Sequence, residues 1–116
     1  MSSEQNPDLF PLQAERERQR RHSQKDDAYY ERAHRHSIDH RIEVLQSDLC
    51  GCFYCRKTFP PTTIREWTDE VGGIGQTALC PRCGIDSVIG SASGFPVQKL
   101  DFLREMRRHF FGRGPR

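Results

Sequence analysis

Two Cys-x-x-Cys pairs constrain this chain more than any other feature of its sequence. The first pair is Cys52 and Cys55, the second is Cys80 and Cys83, and twenty-four residues separate them. Each pair can form a tight turn that presents two thiolates to one point, and two such turns can surround a Zn²⁺ ion tetrahedrally. Two unrelated thiol pairs, redox or structural, are the other interpretation. We expect a single structural Zn²⁺ held by all four cysteines, with no open position for water.

The fifth cysteine, Cys50, lies two residues before the first pair. It could replace Cys52 as a ligand, but the Cys52-x-x-Cys55 spacing has the better geometry for one tight turn. Gly51 can supply the backbone bend between the two cysteines. We therefore expect Cys50 to be a free thiol outside the metal site.

The apolar residues are unevenly distributed along the 116 residues, of which 34% are hydrophobic. Few lie before Tyr29, which predicts a mobile basic and polar arm over 1–25, a folded domain over 26–111 and a disordered tail over 112–116. A folded unit of this size has a small core, which a bound metal can stabilise. The sequence thus predicts a small α+β domain that zinc holds together.

The compartment is predicted from what the sequence lacks. No apolar run is long enough to span a membrane. The start of the chain, M-S-S-E-Q-N-P, has neither the basic residues nor the apolar segment of a secretory signal. Because zinc-bound thiols must stay reduced, we expect a cytoplasmic protein.

A long helix is predicted before the first cysteine pair, from Asp26 or Asp27 to about Ser47. Its apolar stripe has helical spacing, with Tyr30, His34, Ile38, Ile42, Leu45 and Leu49. His34 lies on this stripe and is predicted to be a hydrogen-bonded core histidine. A second amphipathic helix is predicted from Pro96 to Phe111, with a stripe formed by Leu100, Leu103, Met106 and Phe110.

His36 and His40 are four residues apart on another face of the first predicted helix. This spacing occurs in metal and catalytic sites, and it also occurs on ordinary polar helix surfaces. They are candidate functional histidines. An enzyme hypothesis would combine them with Asp86 around a pocket between helix and zinc module.

The segments between and after the cysteine pairs leave two architectures open. Gly72-Gly73-Ile74-Gly75 predicts a flexible loop, and residues 76–79 form a β-prone run that leads to Cys80. Residues 84–90 can form a short helix or a strand. A helix there would make a treble clef, in which its dipole favours the thiolates, and we favour this fold. A strand there fits a zinc ribbon, in which both cysteine pairs lie on hairpins.

The run T-A-L-C-P-R-C-G, residues 77–84, resembles the strand-to-helix step of the treble clef in HNH nucleases. In that family a general-base histidine would fall near Trp67-Thr68-Asp69. This chain has no histidine there, and none between His40 and His109. The resemblance therefore implies the zinc scaffold, and the departure argues against nuclease chemistry.

A second resemblance covers residues 30–111. The runs A-H-R-H-S-I-D-H-R (33–41), C-G-C-F-Y-C (50–55) and T-A-L-C-P-R-C-G-I-D-S-V-I-G (77–90) are similar to a family of small bacterial zinc-knuckle proteins. Members carry only the label "cytoplasmic protein". This resemblance implies a fold and a location, and no activity.

The charge distribution indicates where a partner could bind. The net formal charge is +2, but residues 104–116 carry five arginines against one glutamate. Such a cluster can contact phosphates, or it can simply keep a helix face and tail solvated. The candidate partner-binding residues there are Arg104, Arg107, Arg108, Arg113 and Arg116, with Arg56, Lys57 and Arg82 near the cysteine pairs.

Three functions remain open at this point. The first is a non-catalytic zinc module that binds nucleic acid or an acidic protein surface. The second is an enzyme that uses His36, His40 and Asp86. The third is a protein–protein adaptor that uses residues 1–25 within a larger assembly. A small-molecule substrate is not expected.

Overall fold

Strand β1 lies at the centre of the fold and leads directly into the first cysteine pair. The computed structural model describes residues 27–112, so the predicted arm over 1–25 and the tail arginines Arg113 and Arg116 lie outside the described residues. Within 27–112 the chain is a small α+β domain of helices and antiparallel strands.

The regular elements are short. The helices are α1 (residues 27–34, helical from the first described residue), α2 (Arg41–Leu45) and α3 (Leu100–Phe111). The strands are β1 (Cys50–Cys52), β2 (Thr58–Phe59), β3 (Trp67–Val71), β4 (Ile74–Ala78) and β5 (Val88–Gly90). Single 3₁₀ turns span Arg35–Ser37, Pro61–Thr63 and Ser91–Ser93.

Two antiparallel sheets carry the cysteine pairs. The first has the strand order β2-β1-β5, with Cys50 opposite Phe59 on one side and Gly90 on the other. The second is the β3–β4 hairpin, with Trp67 opposite Ala78. The first cysteine pair begins at the last residue of β1, Cys52, and the second lies between β4 and β5.

The central sheet is buried on both faces, because its side chains alternate between two apolar clusters. Cys50 and Val88 belong to the cluster on the side of the cysteine pairs. Ile89 belongs to the cluster beneath α3, and a Cβ on Gly51 would lie only 3.1 Å from Leu103. A side chain at position 51 would crowd Leu103, so glycine permits the close approach of α3 to β1.

The single long helix predicted over 26–47 is wrong. Helix α1 ends in the 3₁₀ turn Arg35–Ser37, and Asp39, between this turn and α2, has a left-handed backbone (φ 50°), which aspartate tolerates better than most residues. The His40 N–H donates to the Gln76 carbonyl at 2.8 Å, and the Asp39 N–H donates to Thr77 Oγ1 at 2.9 Å. These bonds to β4 replace helical ones, so that α1 and α2 are separate.

The break also overturns the predicted apolar stripe. Ile38, Ile42 and Leu45 are 52%, 72% and 53% exposed. His34 is exposed as well, and its ring packs 4.2 Å from that of Phe110 rather than lying in the core. The stripe assumed one continuous helix; after the break, α2 buries Val44 instead, and the stripe residues Ile38, Ile42 and Leu45 face away from the core.

The remaining predicted elements agree with the structure in part. The predicted flexible loop over 72–75 is a two-residue turn at Gly72 and Gly73, both with positive φ, as hairpin turns of this kind require. Helix α3 begins at Leu100, which is 46% exposed, and the sequence prediction missed the buried Phe102. Gly112 ends α3 as expected, with φ 80°.

The segment after the second cysteine pair is a strand. Residues 88–90 form β5, which pairs with β1 from Cys52 opposite Val88 to Cys50 opposite Gly90. A treble clef places a helix directly after the second pair, and within residues 27–112 the next α-helix is α3.

Candidate metal centre

The first cysteine pair lies in a tight turn, residues 52–57, which we call the first knuckle. The Cys52 N–H donates to the Lys57 carbonyl at 2.9 Å, and the Arg56 N–H donates to the Cys52 carbonyl at 2.7 Å. Arg56 has a left-handed backbone with φ 65°. These bonds place the side chains of Cys52 and Cys55 on the same side of the turn.

The second knuckle, residues 80–85, repeats this pattern at the same positions. The Cys80 N–H donates to the Ile85 carbonyl at 2.9 Å, and the Gly84 N–H donates to the Cys80 carbonyl at 2.8 Å. Gly84 has φ 83° and corresponds to Arg56 in the first knuckle. Two separate segments of the chain thus adopt the same conformation. This similarity favours a common role for their thiols as ligands of one ion.

The two knuckles bring the four predicted cysteines together. The Sγ atoms of Cys52 and Cys83 are 3.7 Å apart, as are those of Cys55 and Cys80, and all four sulfurs lie within 4.8 Å of one another. In a tetrahedral site with Zn–S bonds of about 2.3 Å, adjacent sulfurs are about 3.8 Å apart. The cluster therefore has the size and donor set of a four-thiolate metal site and could hold a metal ion.

Backbone N–H groups inside the knuckles favour the thiolate forms. Burial raises the pKa of Cys52, and it raises the pKa of Cys83 to about 11. Burial acts in the same direction on Cys80, but hydrogen bonds from the backbone N–H groups of Arg82 and Cys83 and from the thiols of Cys55 and Cys83 together outweigh it and lower the pKa of that thiol. The Arg82 N–H lies 3.2 Å from Cys80 Sγ. A metal cation would displace the protons that burial otherwise retains.

Cys50 does not belong to the four-sulfur cluster. It is fully buried among apolar side chains on β1, and burial raises the pKa of its thiol to about 12. A thiol with so high a pKa is a poor nucleophile at neutral pH. The expectation of a free thiol outside the metal site agrees with this position.

His40 is buried, and backbone groups occupy both of its ring nitrogens. The Ala78 N–H donates to Nε2 at 3.0 Å, so Nδ1 carries the proton and donates to the His36 carbonyl at 2.6 Å. Burial lowers the pKa of His40, which keeps the ring neutral as Nε2 requires. Sequence spacing alone gave no sign that this histidine joins α2 to β4.

His36 and Asp86, the other residues of the enzyme hypothesis, have different surroundings. His36 Nδ1 lies 2.8 Å from a carboxylate oxygen of Glu43, which orients the ring along α2. Asp86 is exposed and lies between the second knuckle and β5. Within the described residues, His36 and His40 each have a partner inside the domain, and no hydrogen bond or ion pair joins either of them to Asp86.

The three described arginines of α3 each have a partner within the domain. Arg104 lies 3.9 Å from Asp101, and Arg108 pairs with Glu105. Arg107 donates to the Tyr54 carbonyl, and its guanidinium lies 4.6 Å from the Tyr54 ring centroid. The helix is thus less available to a partner than its sequence suggested.

The cations beside the knuckles have exposed side chains instead. Within residues 27–112 no ion pair, hydrogen bond or ring contact involves the side chains of Arg56, Lys57, Arg65 or Arg82. Arg65 and Arg82 line one open cleft of about 230 Å³, together with Glu66, Leu79, Cys80, Pro81 and Gly84. Arg65 was absent from the sequence-based candidates, because no spacing rule connects it to the second knuckle.

Neither a protein-family model, nor a curated protein, nor a solved structure matches this chain. Of the helices that lie within residues 27–112, none has the length and apolar character needed to cross a membrane. The functional inference therefore rests on the geometry of the knuckles and on the charges around them.

Proposed function

We propose that this protein is a non-catalytic zinc module that binds nucleic acid through the surface around its knuckles. The observation that carries the proposal is the set of four sulfurs at tetrahedral spacing on two matching turns. A closed four-cysteine site supplies folding free energy and offers no position for a reacting water. The zinc is accordingly one per chain and structural.

For the zinc module in this proposal, the strand arrangement favours a zinc ribbon over a treble clef. The first knuckle joins β1 to β2, and the second leads into β5, which pairs with β1. Zinc would therefore tie both edges of the central sheet to the end of β4. In a domain with so small a core, this link contributes much of the stability. Reduced thiols in such a site suit the cytosol.

The choice of nucleic acid rests on the unpaired cations around the knuckles. Arg56, Lys57, Arg65 and Arg82 are exposed, and the only acidic residue of the cleft is Glu66. Zn²⁺ with four thiolates carries two negative charges, which part of this positive charge balances. The rest is available to phosphates, whose contacts provide most of the non-specific affinity for nucleic acid.

One observation favours a second candidate, a protein–protein adaptor. Ile38, Ile42 and Leu45 are more than half exposed, and clusters of exposed apolar side chains often mark protein-binding surfaces. Such binding would depend weakly on salt, because apolar contacts and not ion pairs would dominate it.

Equilibrium binding of zinc-loaded protein to labelled single-stranded and duplex oligonucleotides tests the proposal. We expect binding at low ionic strength that weakens steeply as salt rises. Cys83→Ser should lose both the metal and the binding, whereas Cys50→Ala should keep both. Folded, zinc-loaded protein that binds neither oligonucleotide at low salt would reject the nucleic-acid function and leave the adaptor as the leading candidate.

A further inference from the structure

We propose that the cleft between Arg65 and Arg82 takes one unpaired nucleotide, so that the preferred partner is a single-stranded nucleic acid. This inference rests on the proposed function and specifies its contact surface. Of the candidate cations in the sequence, it selects Arg82 beside the second knuckle rather than those of α3 and the C-terminal tail, and it adds Arg65.

Two separate segments form the sides of the cleft, and each contributes one cation, Arg65 or Arg82. Arg65 follows the buried Ile64, and the Leu79 N–H donates to the Glu66 carbonyl at 3.0 Å, which fixes the segment before β3 against the one before Cys80. On the other side, the Arg82 N–H lies against Cys80 Sγ, so the knuckle itself sets the backbone of Arg82. Metal binding would therefore fix one of the two cationic sides.

The lining of the cleft suits a base together with its phosphate. Leu79 and Pro81 contribute apolar surface between the two arginines. A nucleobase can pack on such a surface, while the two arginine guanidiniums contact the phosphates on either side of that nucleotide. Bases in a duplex are stacked inside the helix and cannot enter a cleft of about 230 Å³, whereas unpaired bases can be splayed out.

Glu66 discriminates between a nucleotide and a simple polyanion. Glu66 is exposed and lines the same cleft, and a carboxylate at its edge would repel a bare phosphate or an acidic peptide. A nucleotide also offers N–H groups on its base and hydroxyl groups on its sugar, which a carboxylate accepts as hydrogen-bond donors. The mixed charge of the cleft therefore favours a nucleotide over an acidic protein surface.

The test compares two double variants in zinc-loaded protein. Arg65→Gln with Arg82→Gln removes both cations of the cleft, and Arg104→Gln with Arg108→Gln is the matched control on α3. The probes are a short single-stranded oligonucleotide of mixed sequence, the corresponding duplex, and polyglutamate as competitor. Zinc content and circular dichroism verify that each variant is folded.

We expect the wild type to prefer the single strand. Removing two phosphate contacts should flatten the log–log salt dependence by about 1.4, because each contact on a single strand contributes about 0.7. Between about 50 and about 200 mM salt, the cleft variant should thus lose about sevenfold less affinity than the wild type does. The control variant should keep the wild-type slope. If the double variant fails to fold, Arg65→Gln alone should flatten the slope by about 0.7.

The possible failures are distinguishable. If the wild type binds oligonucleotides but only the α3 variant flattens the salt dependence, the cleft is not the contact surface and the proposed function stands. Tighter binding to the duplex, or equal competition by polyglutamate, overturns the unpaired nucleotide as occupant. If the wild type binds no oligonucleotide at low salt, the proposed function and this inference fail together.

Discussion

Arg107 joins the C-terminal helix to the first knuckle through Tyr54. Its guanidinium donates to the Tyr54 backbone carbonyl and lies 4.6 Å from the centroid of the Tyr54 ring, while Phe111 packs edge-on against the same ring at 4.9 Å. Tyr54 lies between Cys52 and Cys55, so the position of α3 and the conformation of the first knuckle depend on each other.

Arg107→Met should lower the free energy of unfolding by about 1–3 kcal/mol, because it removes a charge-assisted hydrogen bond and a cation–π contact. The matched control is Arg104→Met, whose only described partner is the exposed Asp101, and we expect a change within about 0.5 kcal/mol. Urea denaturation at saturating zinc measures both. Equal losses in the two variants would show that Arg107 does not hold α3 to the knuckle.

The matching knuckles predict a stabilising substitution. Arg56 has the left-handed backbone that Gly84 has at the equivalent position, and only glycine adopts it without steric cost. Arg56→Gly should therefore raise the free energy of unfolding by up to about 1 kcal/mol.

Gly84→Ala is the converse substitution and should lower the free energy of unfolding by about 1–2 kcal/mol. A Cβ at Gly84 would meet no atom within 4 Å, so the substitution tests backbone conformation alone. Thermal or urea unfolding of both variants checks the pair. A destabilised Arg56→Gly variant would contradict the equivalence of the two turns.

His40 should make stability depend on pH in the acid range. Burial lowers its pKa below the ordinary value of 6.5, although the carboxylates of Glu43 and Asp39 favour the protonated ring. As pH falls below 6.5, the unfolded chain takes up a proton that the folded protein does not yet bind. Stability should therefore fall from this pH down to the folded pKa, by at most about 1.4 kcal/mol per pH unit.

His40→Asn separates this effect from protonation of the cysteines, which would act on both proteins alike. The variant should be less stable than the wild type at neutral pH, because it leaves a buried backbone group of β4 or of residue 36 without its partner. Between neutral pH and pH 5, its stability should decline less steeply than that of the wild type. Parallel curves for the two proteins would rule out His40 as the titrating group.

The sequence predicted that the four cysteines form one cluster, because the determinants of that cluster are local. Two ligands in each pair are separated by two residues, so spacing alone shows that they can share one turn. The C-terminal helix was predictable for the same reason, since Leu103 and Met106 keep helical spacing and Gly112 stops it. These features depend on neighbours along the chain.

The features that the sequence did not reveal depend on distant contacts. The bonds from Asp39 and His40 to β4 connect residues almost forty positions apart, and they interrupt a segment whose spacing favours one helix. The sequence suggested that Arg107 is available to a partner, whereas its guanidinium lies over the ring of Tyr54. Periodicity reports which residues can share a face, and it does not report what that face meets.

The reactivity of Cys50 tests whether its thiol is buried outside the cluster of the other four cysteines. Its thiol is fully buried and its pKa is raised to about 12, so it should resist alkylation in folded, zinc-loaded protein and react after unfolding. Cys50→Ala should retain the metal, whereas Cys50→Ser should cost more stability, because a hydroxyl in an apolar cluster lacks a partner. Rapid alkylation of Cys50 under native conditions would contradict this placement.

The metal content of purified, folded protein tests directly whether Cys52, Cys55, Cys80 and Cys83 hold one Zn²⁺ ion. We expect about one Zn²⁺ per chain, loss of the metal in Cys52→Ser and in Cys83→Ser, and its retention in Cys50→Ala. Cobalt substitution should give the absorption of a tetrahedral four-thiolate site. Zinc is not a structural ion of this protein if the folded wild type contains no metal. The choice of ligands is wrong if Cys52→Ser keeps the metal while Cys50→Ala loses it.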